Sequence, residues 1–321
     1  MVNFISLFSG CGGSSLGYHK AGFTELLAID WDDNAIETFK ANFPEVPIRK
    51  WDLNKITAQE ILTEINLKKG ELDLLDASPP CQGFSMAGKR NIFDERNDLY
   101  LKTLTLIEEI APKVFVIENV KGMIIGGHKH YTKLIMKKLN TLDYNWKMKL
   151  MNAKYYGVPQ SRARIIVIGI RKDLNKIPTY PIPLNKLIPV REALNSVKVG
   201  KYKILKGKRA EFLNKLRPGE RISKYTPGKY FGTCRLNPNR PVPTITKTLY
   251  HTDTFGDFFI RWDSDRGLSI EELKRLCSFP DNFILLGTFE EQVSRLGNAV
   301  MPEFMFAIAK HIKENVFKNK L

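Results

Sequence analysis

The 321-residue sequence holds no apolar run near the roughly 18 residues that a membrane-spanning helix needs. Its apolar start, Val2 to Phe8, has no basic lead and runs straight into glycines, which does not suit a secretory leader. A soluble, non-secreted, cytoplasmic chain is expected. Cysteine is scarce: Cys11, Cys81, Cys234 and Cys277 stand far apart, with no Cys-x-x-Cys pair and only five histidines beside them. Neither a metal site nor a disulfide framework is expected, so any cysteine chemistry would belong to a lone thiol. Internal repeats and low-complexity tracts are missing too, which excludes repeat architectures.

Acidic residues are few in one segment above all. From Arg171 to Lys247 there are 19 Lys or Arg against 4 Asp or Glu, which accounts for nearly all of the net charge of +16. A basic run of this kind is more often a solvated face than a phosphate-contacting surface. Tyr202, Phe212, Tyr225, Tyr230 and Phe231 are interleaved with the cations, and Pro and Gly break the segment into loops, which favours the phosphate reading.

Upstream, short apolar runs alternate with amphipathic ones. Val2 to Phe8, Glu25 to Ile29, Leu72 to Ala77, Val114 to Glu118, Lys147 to Met151 and Ile165 to Ile170 read as strands, several apolar throughout as in a buried parallel sheet. Ala58 to Ile65, Asp98 to Ile110 and Tyr131 to Leu139 carry apolar residues at three- and four-residue spacing and read as helices. The alternation implies an α/β fold with a doubly wound sheet. Beyond Ile170 the text turns Pro- and Lys-rich, with a helix start at Val190 to Ser196, and helical periodicity returns at Ser269 to Cys277 and Glu303 to Val316.

Four constellations carry candidate chemistry. Phe8, Ser9, Gly10, Cys11, Gly12 and Gly13 follow the first strand, where glycines let a ligand approach the backbone and the next helix points its N-terminus at it. A nicotinamide fingerprint needs a third glycine where Ser15 stands, so a dinucleotide oxidoreductase is disfavoured. Asp30-Trp31 and Asp52-Leu53 fall at later strand ends, where an acid can bond ribose and an indole can stack on adenine; helix caps and a core Trp are the plainer readings. Ser78-Pro79-Pro80-Cys81-Gln82 presents a thiol on a stiff backbone, ahead of a polar loop to Asp98 that could close over a substrate. Glu118-Asn119-Val120 ends an apolar strand in a carboxylate, and Arg162 and Arg164 begin another, two apart and so on one face.

This string of motifs resembles the cytosine-5 DNA methyltransferase family of bacterial restriction-modification systems, across nearly the whole chain and in family order. Gln160-x-Arg162-x-Arg164 and Gly297-Asn298-Ala299-Val300 with Pro302 complete it; Arg240 to Thr246 resembles the ninth motif and Leu268 to Pro280 the stretch before the last. The resemblance implies a methyltransferase sheet of Rossmann-like type with a smaller, basic target-recognition domain. Residues 1–188 with 296–321 would form the catalytic, cofactor-binding domain, and 189–295 the recognition domain and hinge.

It also implies S-adenosylmethionine as cofactor, with Phe8 to Gly13, Asp30, Trp31, Asp52, Leu53, Pro80, Asn298, Ala299 and Val300 around it. Cys81 would add to carbon 6 of a flipped-out cytosine, and Glu118 would protonate the ring at N3 and bond the amino group. Arg162 and Arg164 complete the catalytic set, with Arg164 holding the carbonyl oxygen. Double-stranded DNA is the expected partner, with a restriction endonuclease acting on the same site without a stable complex, and a monomer is expected. Two alternatives stand beside this. A tRNA cytosine-5 methyltransferase is disfavoured because that branch carries a Cys-Phe-Thr tripeptide and the nearest context here is Gly232-Thr233-Cys234-Arg235. A non-catalytic DNA-binding relative is disfavoured because the nucleophile and glycine loop are intact.

Overall fold

Strands that are apolar on both faces must be covered on both, and the order of elements shows how this is achieved. The computed structural model describes residues 1–80, 98–123, 129–227, 229–251 and 257–318. In chain order the first part runs β1 (Val2–Leu7), α1 (Gly13–Lys20), β2 (Phe23–Asp30), α2 (Asp33–Asn42), β3 (Ile48–Lys50) and α3 (Ala58–Glu64). There follow β4 (Leu74–Ala77), α4 (Asp98–Ile110), β5 (Val114–Val120), α5 (Lys129–Thr141), β6 (Tyr144–Asn152) and β7 (Ala163–Arg171).

These strands form one sheet in the order β3-β2-β1-β4-β5-β7-β6. The first five are parallel, whereas β7 runs antiparallel to both β5 and β6. The doubly wound sheet expected from the alternation is present, and its far edge turns antiparallel because the link 153–162 is too short for the crossover of about a dozen residues that parallel pairing needs. The chain winds outward from β1 to β3 and then returns to place β4 beside β1. The carboxyl ends of β1 and β4 are therefore the switch point where such sheets bind ligands.

On one face, Ile5, Leu7, Leu27, Ile29, Leu75, Phe115 and Ile117 meet Ile61 and Leu62 of α3, Leu104, Ile107 and Ile110 of α4, and Ile135 and Leu139 of α5. Helices α2 and α3 start where the sequence offers caps. Thr57 and Glu60 form a capping box on α3, and Asp32 accepts from the Ala35 amide at 2.9 Å to start α2.

Contacts divide the chain into two compact units, one of Met1–Asn152, Ala163–Ile182 and Met305–Leu321, the other of Ala153–Arg162 and Pro183–Phe304. Residues 153–162 belong to the second unit because their backbone and side chains bond to residues there, as Ser161 does to Val242 and Gln160 to Leu276. That unit holds α6 (Val190–Ala193), which stops short of Ser196, a parallel pair β8 (Thr233–Arg235) and β9 (Phe258–Ile260), α7 (Ile270–Leu276), α8 (Phe289–Asn298) and the start of α9 (Pro302–Val316).

With so little sheet, buried arginine replaces regular structure as the cross-tie. Arg235 donates to the carbonyls of Leu213, Leu216, Arg261 and Ser264 and to Asp265. The fully buried Glu272 accepts from Arg261, Arg266 and the Ser269 amide. The excursion from 190 to 240 closes on itself, for the amides of Val190 and Arg191 donate to the carbonyls of Arg240 and Pro238, each at 3.0 Å. Among the described residues no helix is long and apolar enough to cross a membrane.

Candidate active site

The turn after β1 is built from left-handed backbone at Phe8 (φ 60°), Gly10 (57°) and Gly12 (88°). A β-carbon on Gly12 would lie 2.3 Å from the Phe43 ring, whereas one on Gly10 would meet nothing within 4 Å. Gly12 is thus fixed by both conformation and packing, while Gly10 faces open space. Asp30, at the end of β2, ties this turn down: Oδ2 accepts from the Gly10 amide at 2.7 Å, and Oδ1 from the amides of Trp31 and Asp32 at 2.7 and 2.9 Å. Next to it the Trp31 indole is 65% exposed, so its core reading does not hold. Asp52 accepts from the Asn54 amide at 3.0 Å, and Leu53 is buried. Ser9 and Cys11 are buried as well.

The end of β5 gathers the second group. Antiparallel register sets Val120 opposite Arg164 and Glu118 opposite Ile166, so Glu118 and Arg164 are diagonal neighbours on one face. Arg164 Nε lies 2.7 Å from Glu118 Oε1, with the two side chains only 12% and 10% exposed, and Arg164 also donates to the Ala163 carbonyl. Burial pulls the Arg164 guanidinium below its ordinary range, and the Glu118 carboxylate opposes that.

Asn119 has no role of its own in the sequence motif Glu118-Asn119-Val120. Its amide nitrogen donates to the Pro79 carbonyl at 3.3 Å, and its Oδ1 accepts from the Val120 amide at 2.8 Å. One strand end therefore both carries the acid pair and anchors the rigid Pro79-Pro80 segment that leads to the next residue, the nucleophile candidate. Cys81 itself, with the loop to 97, lies outside the described residues.

Arg162 is placed differently from the sequence reading. It is buried in the second unit, where it donates to the carbonyls of Ile245 (3.0 Å), Gly297 (2.8 Å) and Ala299 (3.1 Å). Gln160, fully buried, donates to the Leu276 carbonyl and accepts from the Ile245 amide, and Thr244 donates to the Ser161 carbonyl. The Gln160-x-Arg162 and Pro-Thr-Ile-Thr stretches are thus parts of one clasp. Asn298 is exposed, Ala299 half-buried and Val300 buried.

Gly297 lies in the same clasp, where a β-carbon would come within 2.3 Å of the Lys247 backbone nitrogen and 2.4 Å of the Thr246 carbonyl carbon. Backbone cannot swing aside as a side-chain tip can, so Gly297→Ala should cost about 2–3 kcal/mol. Thermal denaturation checks this, and a midpoint equal to the parent's would show that the clasp yields freely.

A family model described as C-5 cytosine-specific DNA methylase matches residues 2–314. The type II methyltransferase M1.HphI of Haemophilus parahaemolyticus is 33% identical, over 97% of this chain and 86% of its own. M.FnuDI of Fusobacterium nucleatum, also a type II methyltransferase, is 31% identical over 98% and 95%. Among solved structures, a prophage-encoded chain of E. coli described as a DNA modification methyltransferase superposes with a TM-score of 0.80 at 24% identity, covering 99% of this chain and 100% of that one. DNMT2 of Spodoptera frugiperda, which also has the fold, gives 0.72 at 19% identity, covering 99% and 100%.

Proposed function

The chain belongs to the C-5 cytosine-specific DNA methylase family, and on that premise we propose that it moves a methyl group from S-adenosylmethionine to carbon 5 of a cytosine turned out of a specific duplex sequence. The observation that carries the reading is the end of β5, where the buried Glu118–Arg164 pair and the Asn119 tether to Pro79 put an acid beside the segment leading to Cys81.

The residues after β1 and β2 fit the cofactor. Gly10 faces open space, Trp31 offers an uncovered indole, and the Asp30 carboxylate, with about four acceptor sites of which amides use three, keeps one for a ribose hydroxyl. Phe8 to Gly13, Asp30, Trp31, Asp52, Leu53 and Pro80 would hold it, and Asn298, Ala299 and Val300 are assigned to it by the family resemblance alone. When bound, the cofactor supplies an electrophilic methyl group.

The Cys81 thiolate adds to carbon 6 of the cytosine, which turns the ring into an enamine nucleophilic at carbon 5; once carbon 5 has taken the methyl group, loss of its proton to water lets the ring expel the Cys81 thiolate. Glu118, ion-paired with Arg164 before the base enters, relays a proton to N3, where the added electron density collects, and accepts from the exocyclic amine. Arg164 orients Glu118 and turns its remaining N–H groups to the carbonyl oxygen of the base. Arg162 acts at one remove, through the clasp.

Exposed cations such as Lys206, Lys208, Arg217 and Lys224, with the exposed ring of Phe231, would meet the phosphates and bases of the duplex. We assign 189–295 to target recognition and 1–188 with 296–321 to catalysis. The protein would work as a monomer in the cytoplasm and shield DNA from an endonuclease that reads the same site. Bisulfite sequencing of DNA from cells expressing the protein should show protected cytosines in one short sequence context. Uniformly converted DNA would sink the reading, and protection confined to tRNA would shift it to the RNA branch.

A further inference from the structure

Beneath the glycine turn the sheet holds two buried carboxyls that the proposed reaction does not use. The face that α1 buries consists of Gly13, Ser14, Ser15, Gly17 and Tyr18, with no large aliphatic side chain. Its seat is polar instead. Asp76 in β4 is 2% exposed and accepts from Ser14 Oγ at 2.5 Å and from the Tyr18 hydroxyl at 3.1 Å. Glu25 in β2 accepts from Ser6 at 2.5 Å and Ser15 at 2.9 Å, and the His19 ring lies 3.0 Å from it.

Asp76 stands in the strand that leads through Pro79 and Pro80 to Cys81, and Ser14 stands in the first turn of the helix that follows the glycines. One carboxyl therefore joins the cofactor turn to the nucleophile strand. We propose that Asp76 is a positioning residue: its ionised carboxylate holds Ser14 and Tyr18, and with them the glycine turn, in the arrangement that receives the cofactor, so that cofactor affinity follows its protonation. The inference rests on the cofactor reading given above.

Burial raises the Asp76 carboxyl to about 7; Ser14 and Tyr18 oppose the rise, and Glu25 and Glu118 add to it. The groups facing Asp76 are Ser14 and Tyr18 from α1, Glu25 from β2 with His19 at its side, Glu118 from β5 with its partner Arg164, and Ser6 of β1 in register with it. Hydrogen bonds to an ionised acceptor are roughly twice as strong as neutral ones. Protonation also forces one oxygen to donate, so the grip on α1 loosens below neutrality.

The test is calorimetric titration of S-adenosylhomocysteine into the full-length protein near pH 7 and one unit to either side. If only the ionised form is competent, affinity is about tenfold weaker at the acid end than at the alkaline end. Asp76→Asn should flatten that dependence. Ser14→Ala removes the hydrogen bond that most favours the carboxylate and should move the midpoint to higher pH. A merely structural role would instead weaken binding equally at every pH.

Wild-type affinity that does not vary with pH, or an Asp76→Asn variant that keeps the wild-type slope, overturns the proposal. Should Asp76→Asn fail to fold, unmoved midpoints in both Ser14→Ala and Tyr18→Phe overturn it. Absence of binding by the wild type at every pH overturns the cofactor reading itself.

Discussion

Cys81→Ser is expected to abolish methyl transfer, by on the order of 10⁴-fold or more, while leaving S-adenosylhomocysteine affinity within about twofold of the parent. The reason lies in acidity. A thiol yields a useful fraction of thiolate near neutral pH and a serine hydroxyl yields almost none, so addition to carbon 6 loses its nucleophile. The cofactor turn after β1 draws on other residues and should be indifferent to the change. Transfer of a labelled methyl group to duplex DNA, measured beside calorimetric binding, separates the two effects. Duplex carrying 5-fluorocytosine should become covalently attached to the parent protein at position 81 and leave the serine variant untouched. Residual transfer within tenfold of the parent would remove Cys81 from the reaction.

Glu118→Gln should lower kcat by about 10²- to 10⁴-fold, because the amide keeps the shape but has no proton to give to N3. It should also destabilise the fold. Glu118 and Arg164 are 2.7 Å apart and largely screened from water, and breaking a buried pair strands the surviving charge at a cost of about 3–5 kcal/mol. Adding Arg164→Met removes the stranded charge, so the double variant should recover thermal stability without recovering turnover. A Glu118→Gln protein that keeps more than about a tenth of the parent kcat would rule out the acid role.

Six of the seven strands of the main sheet are legible, several because they are apolar throughout, as at Val114 to Ile117, whereas β3 is three residues long with two of them cationic and carries no such mark. Helices α4 and α5 are legible because their apolar residues recur at helical spacing. Helix α1 carries no such stripe, since it is seated on carboxylates by Ser14, Ser15 and Tyr18. Helix α8 carries a readable signal, a Thr288–Glu291 capping box followed by Val293 and Leu296. The reversed direction of β7 depends on the length of a link and leaves no mark in hydrophobicity.

In the site, the glycine turn and the ends of β2 and β5 were marked by residue type. The bond from Asn119 to Pro79 and the inward turn of Arg162 were not, because their partners lie far along the chain: Pro79 is 40 residues from Asn119, and Ile245, Gly297 and Ala299 are 83, 135 and 137 residues from Arg162.

The joined ends of the excursion from 190 to 240 have an evolutionary corollary. A loop pinned at its neck lengthens at a free-energy cost that grows only with the logarithm of its length, about 0.6 kcal/mol per doubling. Insertions and deletions in its loops leave the neck where it was. On the proposed assignment of this segment to target recognition, such a molecule can diversify the words it reads while conserving the grammar of its chemistry.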